Sequence, residues 1–253
     1  MERELPEFDI MGYVFQVDVY SSCFRMKHYP NTQLSIFNMD LLENGYGFEF
    51  KKSSGALINY SGSEYVTVNW LAHYDPQTMS EKYDKPLDEV IGKSDFDIIV
   101  DKDALNRMLK GKHVRVDILG EQYELDGDYL RPLRKSIDSG IDLSNDYGPL
   151  EGIVVPYDPI LKVVPELDHD TITAVPEGIV YIDIPPLAVL DPVTYSREWN
   201  LNLKLTAMQF PPKLLHIAKE VGVEESGVLT SIEINKKRMA KKAKKSKGRK
   251  PKR

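Results

Sequence analysis

Residues 236–253 hold twelve cations and no acid: Lys236, Lys237, Arg238, Lys241, Lys242, Lys244, Lys245, Lys247, Arg249, Lys250, Lys252 and Arg253. Such a run can do one kind of chemistry well. It can neutralise phosphates and release their condensed counterions, which needs charge density rather than a fixed fold. The remainder of the chain has 21 basic and 39 acidic residues, a net charge of −18. A basic arm on an acidic body is the asymmetry expected of an interaction segment. A solubilising role explains the arm less well, because the body's own charge already serves that purpose. Little base specificity is expected, since nothing in 236–253 reads as a rigid element that enters a groove.

Catalytic chemistry is hard to assemble from the remaining residues. The five histidines, His28, His73, His113, His169 and His216, are scattered, and none has zinc-ligand spacing to Cys or another His. Asp168-His169-Asp170 could grip a metal but reads as an exposed loop. There is no phosphate-cradling glycine loop, no Gly-x-Ser-x-Gly and no calcium loop. Asp95 and Asp97 flank Phe96 in a stretch that reads as a strand, Phe96–Val100, and alternation would put both on a solvent face. Cys23, the single cysteine, fits a small buried side chain and a reducing compartment. The 14 tyrosines are explained by sheet propensity. No catalytic residue, metal or cofactor is expected.

The elements that must carry the arm show an internal repeat. Residues 62–83 and 178–199 align without a gap, with eight of 22 positions identical: Gly62/Gly178, Tyr65/Tyr181, Leu71/Leu187, Ala72/Ala188, Asp75/Asp191, Pro76/Pro192, Thr78/Thr194 and Ser80/Ser196. Chance would give about one or two. A second phrase repeats in the same order. Phe8–Asp18 returns as Val116–Asp126, sharing Asp9/Asp117, Ile10/Ile118, Gly12/Gly120 and Asp18/Asp126. Each reads as a β-hairpin with glycine at positive φ. In the first pair of segments a strand gives way to a short helix. Asp75 and Asp191 suit the N-cap, and Pro76 and Pro192 the first helical position, where a missing N–H costs nothing.

Further short strands are expected around Cys23–Lys27, Leu34–Met39, the Asn44-Gly45 turn, Tyr46–Lys51, a Ser53-Ser54-Gly55 turn and Leu57–Tyr60. The second half follows this outline through Tyr129–Leu133, Gly140–Leu143, Gly152–Tyr157, Ile160–Val164 and Gly178–Ile184. Asp103–Lys112 reads as a connecting helix. Leu201–Leu205 reads as a strand, Pro212–Val221 as a helix and Gly227–Asn235 as a last strand. Residues 236–253 read as disordered, with at most a frayed helix over Lys236–Lys245.

The expected fold is therefore β-rich α+β, a tandem duplication of a small sheet-plus-short-helix unit with a disordered basic C-terminal tail. The boundaries are 1–102 for unit 1, 103–112 for the connecting helix, 113–210 for unit 2, 211–235 for an extension and 236–253 for the tail. No apolar run approaches a membrane span and the first residues do not resemble a secretory signal, so a cytoplasmic location is expected. The functional expectation is a non-enzymatic accessory protein. Its tail would associate with nucleic acid without sequence preference, and its acidic body would engage a protein partner. Two alternatives come from other classes. The acidic surface could mimic nucleic acid and inhibit a basic protein, or an enzyme site could lie in a cleft between the units.

Overall fold

The computed structural model describes residues 3–51, 56–57, 62–134, 140–144, 148–165, 167 and 170–247, with the backbone alone for 56–57 and 242–247. It is a mixed α+β structure with four small sheets. The chain divides into two compact units. One comprises Met1–Leu105 with Ser196–Pro211; the other comprises Asn106–Tyr195 with Pro212–Arg253. Ser53-Ser54-Gly55, Ile58–Tyr60 and Asp168-His169 lie outside the described residues.

The first unit opens with an antiparallel meander of β1 (Glu7–Ile10), β2 (Tyr13–Asp18), β3 (Cys23–Met26) and β4 (Gln33–Ser35). The two-residue turn Met11-Gly12 has φ of 55° and 91°, and the Gly12 amide donates to Asp9 Oδ1 at 2.9 Å. Positive φ at both central residues matches the right-handed twist of the flanking strands. Alternation then drives Phe15 and Val17 inward, where they meet Phe24 and Met26 from β3. A second sheet centres on β6 (Gly45–Lys51), which pairs with β5 (Asp40–Leu42), β7 (Ala56–Leu57) and β8 (Glu64–Val68). The β5–β6 turn is made by Glu43-Asn44, one residue earlier than the Asn44-Gly45 signal suggests. Gly45 instead opens the strand, because a Cβ there would stand 1.9 Å from the Val68 carbonyl oxygen. Four short helices follow, α1 (Leu71–Tyr74), α2 (Pro76–Tyr83), α3 (Leu87–Val90) and α4 (Asp95–Ile99), and a fifth, α5 (Lys102–Leu109), runs across the division at Leu105. The core is aromatic: Phe8 stacks on Tyr74 at 4.6 Å and meets Phe24 edge-on at 5.1 Å, while Phe50 touches Phe15 and Phe48.

The second unit also begins with an antiparallel meander, β9 (Arg115–Ile118), β10 (Glu121–Asp126), β11 (Tyr129–Pro132) and β12 (Ile141–Asp142). Its first turn, Leu119-Gly120, has φ of 50° and 86°, and Gly120 donates to Asp117 Oδ1 at 2.8 Å. Next, β13 (Ile153–Tyr157) pairs antiparallel with β14 (Val180–Ile184), which leads to α6 (Leu187–Leu190) and α7 (Pro192–Glu198). The buried residues here are mainly aliphatic, among them Val116, Ile118, Leu130, Ile182, Ile184 and Leu190.

Several stretches differ from their sequence expectation. Ile160–Val164 is not a strand: Asp158 Oδ1 accepts from the Ile160 and Leu161 amides at 2.9 and 2.8 Å and turns the chain, leaving a single bridge between Asp158 and Val163. Leu34–Met39 is a strand only to Ser35, whose hydroxyl accepts from the Phe37 amide and starts a 3-10 turn, Ile36–Asn38. Phe96–Val100 is not a strand, because Ser94 caps α4 by accepting from the Asp97 amide at 3.1 Å. Short apolar runs leave helix and strand undecided until tertiary partners choose. Leu201–Leu205 is not a strand either. Asn202 accepts from the amides of Lys204 and Leu205 at 3.0 and 3.2 Å and starts α8 (Leu203–Gln209), which packs against α4. Pro212–Val221 is extended rather than helical. β15 (Leu215–Ile217) adds to β9 in parallel, and β16 (Lys219–Val221) adds to β14. Exposed Leu215, buried His216, exposed Ile217 and buried Ala218 show the alternation that won over the helical spacing. Finally, Gly227–Asn235 is not a strand but the start of α9 (Val228–Lys247), which runs on through the basic segment. The backbone is therefore helical over Lys236–Lys245, where a frayed helix was allowed, and on to Lys247; residues 248–253 lie outside the described residues.

Candidate nucleic-acid interface

The basic segment is carried by a helix with a fixed root. Val228, Ile232 and Asn235 recur at helical spacing and are buried, whereas the residues between them are exposed or half-buried. Val228 and Ile232 form a cluster with Tyr181 of β14, joined by Val154 of β13, Ile172, and Val221 and Val223 in and beyond β16. The Asn235 side-chain amide donates to the Ile172 carbonyl at 2.9 Å, so the last buried residue among those described is polar and hydrogen-bonded. At the other end the Ser226 hydroxyl accepts from the Val228 amide at 3.2 Å, which caps the first turn. Apolar packing against the sheet and the hydrogen bond to Ile172 thus hold the first two turns of α9, and the Ser226 cap starts them.

Beyond that root the helix continues because its residues favour it. Lys, Arg, Met and Ala are strong helix formers, and the costly nucleus is already supplied by the packed turns. Cations also sit well at the C-terminal, partly negative end of the helix. Opposing this, like charges at i,i+4 cost about 0.2–0.5 kcal/mol per pair, and Lys237/Lys241, Arg238/Lys242 and Lys241/Lys245 are such pairs. Lys237 lies 3.5 Å from Glu233, and Arg238 lies 3.2 Å from Asp170. Both contacts are largely exposed, where an ion pair contributes little.

Of the twelve cations named from the sequence, Lys236, Lys237, Arg238 and Lys241 have exposed side chains on α9. Lys242, Lys244, Lys245 and Lys247 follow on the same helical backbone. Arg249, Lys250, Lys252 and Arg253 lie outside the described residues. From Lys236 to Lys247 the helix extends about 18 Å at 1.5 Å per residue. The arrangement can bind an extended polyanion.

Other charged groups serve the fold. Asp95, expected on a solvent face, is fully buried. It accepts from Tyr46 Oη at 2.7 Å and from the Leu71 and Ala72 amides at 2.9 Å each, so it caps the N-terminus of α1 from a distance in sequence. Burial pushes its carboxyl above the ordinary value, against those three bonds and the charge of Lys82. Burial and Asp95 together raise the Tyr46 phenol, and burial then Asp95 raise Tyr83 to about 12. Lys82 donates to the carbonyls of Val19 and Tyr20 at 2.8 and 3.2 Å. Cys23 is buried, and burial raises its thiol. His216, unremarkable in the sequence, is buried with Nε2 lacking a partner among the described residues. Its position in the alternating Leu215-His216-Ile217 was the available signal. Burial, then the charge of Lys213, lowers its pKa.

Among the described residues no group of three or more His, Cys, Asp or Glu could hold a metal, and no helix is long and apolar enough to cross a membrane. Comparison with protein-family models, curated proteins and solved structures gave no match.

Proposed function

We propose that the protein is a non-enzymatic cytosolic accessory protein that holds nucleic acid through the cationic half of α9, while its acidic body engages a protein partner. One observation supports this reading: eight cations follow one another on a helix whose root is packed into the second unit, and the four whose side chains are described, Lys236, Lys237, Arg238 and Lys241, are exposed. We further propose that the two units descend from one duplicated module. Support comes from the like succession of meander, antiparallel strand pair and Asp-Pro helix, with Asp9/Asp117 and Asp75/Asp191 in matching roles.

Phosphate contact makes the affinity depend on salt. Each neutralised phosphate on duplex DNA contributes about −0.9 to the slope of log K against log salt. If half of the eight helical cations engage, the expected slope is about −4. The test is titration of labelled nucleic acid with the full chain and with a chain ending at Asn235, which keeps the packed root. The full chain is expected to bind with that slope and the shortened chain to lose binding. Equal binding by both at low salt removes the arm from the function.

A further inference from the structure

We infer that the arm is a groove-entering helix and that its ligand class is B-form duplex DNA, an inference that rests on the nucleic-acid reading above. Three observations lead there. First, the helix leaves the body from a root fixed by Val228, Ile232 and Asn235 and keeps helical backbone to Lys247, so it meets its ligand already shaped. A polycationic coil would treat every polyanion alike. A rigid rod discriminates by whether it fits.

Second, the dimensions select one ligand. A helix with its side chains is about 10–12 Å across, and the major groove of B-DNA is about 12 Å wide. The major groove of A-form RNA is too narrow for side chains to enter, and a single strand has no groove.

Third, the cations are placed for two walls of phosphate. At about 100° per residue, the positions of Lys236, Lys237, Arg238, Lys241, Lys242, Lys244, Lys245 and Lys247 spread over about two-thirds of the circumference. The positions of Met239, Ala243 and Ser246 fall in the remaining third, in line with Val228, Ile232 and Asn235 of the packed face. Lys237 and Lys241, both exposed, stand opposite that strip and lead into the groove. The cationic positions on either side of them fall along the flanks of the helix, where the two backbones would run. Phosphates there relieve the like-charge repulsion along the helix, so binding strengthens the helix instead of unfolding it.

The experiment uses the full chain and three labelled probes of equal length: a DNA duplex of about 20 base pairs, the corresponding RNA duplex, and one DNA strand alone. Duplex DNA is expected to bind about tenfold tighter than either other probe, the scale of a contact set that requires shape. The variant Ala240→Pro retains every charge but removes a helical hydrogen bond and clashes with the preceding turn. It is expected to lose about tenfold on duplex DNA and less than about twofold on the single strand. Ala240→Gln, which keeps the helix, should match the parent. Equal affinity for all three probes, or tighter binding to duplex RNA, overturns the groove inference while arm-dependent binding keeps the phosphate reading. Binding that never depends on the arm overturns both. The probe preference of the parent chain decides the matter even if the proline variant is too unstable to measure.

Discussion

Asp75 and Asp191 occupy the same corner of the two units, between a one-turn helix and a helix that begins with proline, yet the surroundings treat them differently. Asp75 is 1% exposed. It accepts from the Thr78 amide at 3.1 Å and hydroxyl at 2.8 Å, and from Arg3 Nη2 at 2.7 Å. Asp191 is half-buried and accepts from the amides of Val193 and Thr194 at 3.1 and 3.0 Å. The preceding helices differ more. The N-terminus of α1 is closed by the buried carboxylate of Asp95, whereas at α6 the Ala188 amide donates to the Pro149 carbonyl at 3.0 Å. Local sequence fixes the cap in both units. What lies on top of the cap is decided by residues far along the chain, and there the two units differ.

The largest expected effect tests that difference. Asp95→Ala removes the acceptor of three buried donors, each of which costs about 1–3 kcal/mol when left unpaired. A loss of about 3 kcal/mol or more in urea unfolding is expected. Asp95→Asn keeps an acceptor oxygen and should lose less than half as much. A loss below about 1 kcal/mol for the alanine variant would show that water or relaxation replaces the carboxylate, and that the two helix starts are closer in energy than their partners suggest.

The matched caps come next. An Asp-to-Ala change at an N-cap costs about 0.5–2 kcal/mol. Asp75→Ala should fall at the top of that range, because it also strands Arg3 and Thr78, and Asp191→Ala at the bottom. Equal losses by thermal unfolding would mean that Arg3 and the burial of Asp75 add nothing to the cap itself.

The smallest effect is a difference in sign. The Asp95 carboxyl is raised above 3.8, so its protonated form favours the folded state. Its contribution to stability grows as pH falls through the raised value, and is complete below 3.8. His216 is lowered from 6.5, so its neutral form favours the folded state. Its contribution is present above 6.5 and is lost as pH falls through the lowered value. His216→Leu should therefore flatten the stability–pH curve just below 6.5, by no more than about 1.4 kcal/mol per pH unit. An unchanged slope would mean that the imidazole reaches solvent when it charges.

What could be read from the sequence was local. The Asp-Ile-x-Gly phrases announced both hairpin turns because positive φ and an aspartate acceptor are properties of a few adjacent residues. The Asp-Pro phrases announced both caps for the same reason. Asp95 misled because alternation with Asp97 suggested a solvent face, and only Tyr46, 49 residues earlier, together with the α1 amides shows why it is inside. The cations of the arm were visible as composition. A frayed helix over Lys236–Lys245 was legible too. Its packed root was not, because Val228-Leu229-Thr230-Ser231-Ile232 is rich in strand-favouring residues, and the choice fell to Tyr181 and Ile172 against which it packs.

The fixed root of α9 turns a tether into a ruler. A flexible coil of the same twelve residues would have a root-mean-square reach of about 5–6 Å times the square root of its length, close to 20 Å in any direction. The helix reaches about 18 Å, so nothing is gained in distance. What changes is bearing. With Asn235 fastened to the Ile172 carbonyl, a polymer gripped by the arm would be held at a set heading from the β13–β14–β16 sheet. A second molecule bound to that unit would then find its own position along the gripped polymer measured out in advance.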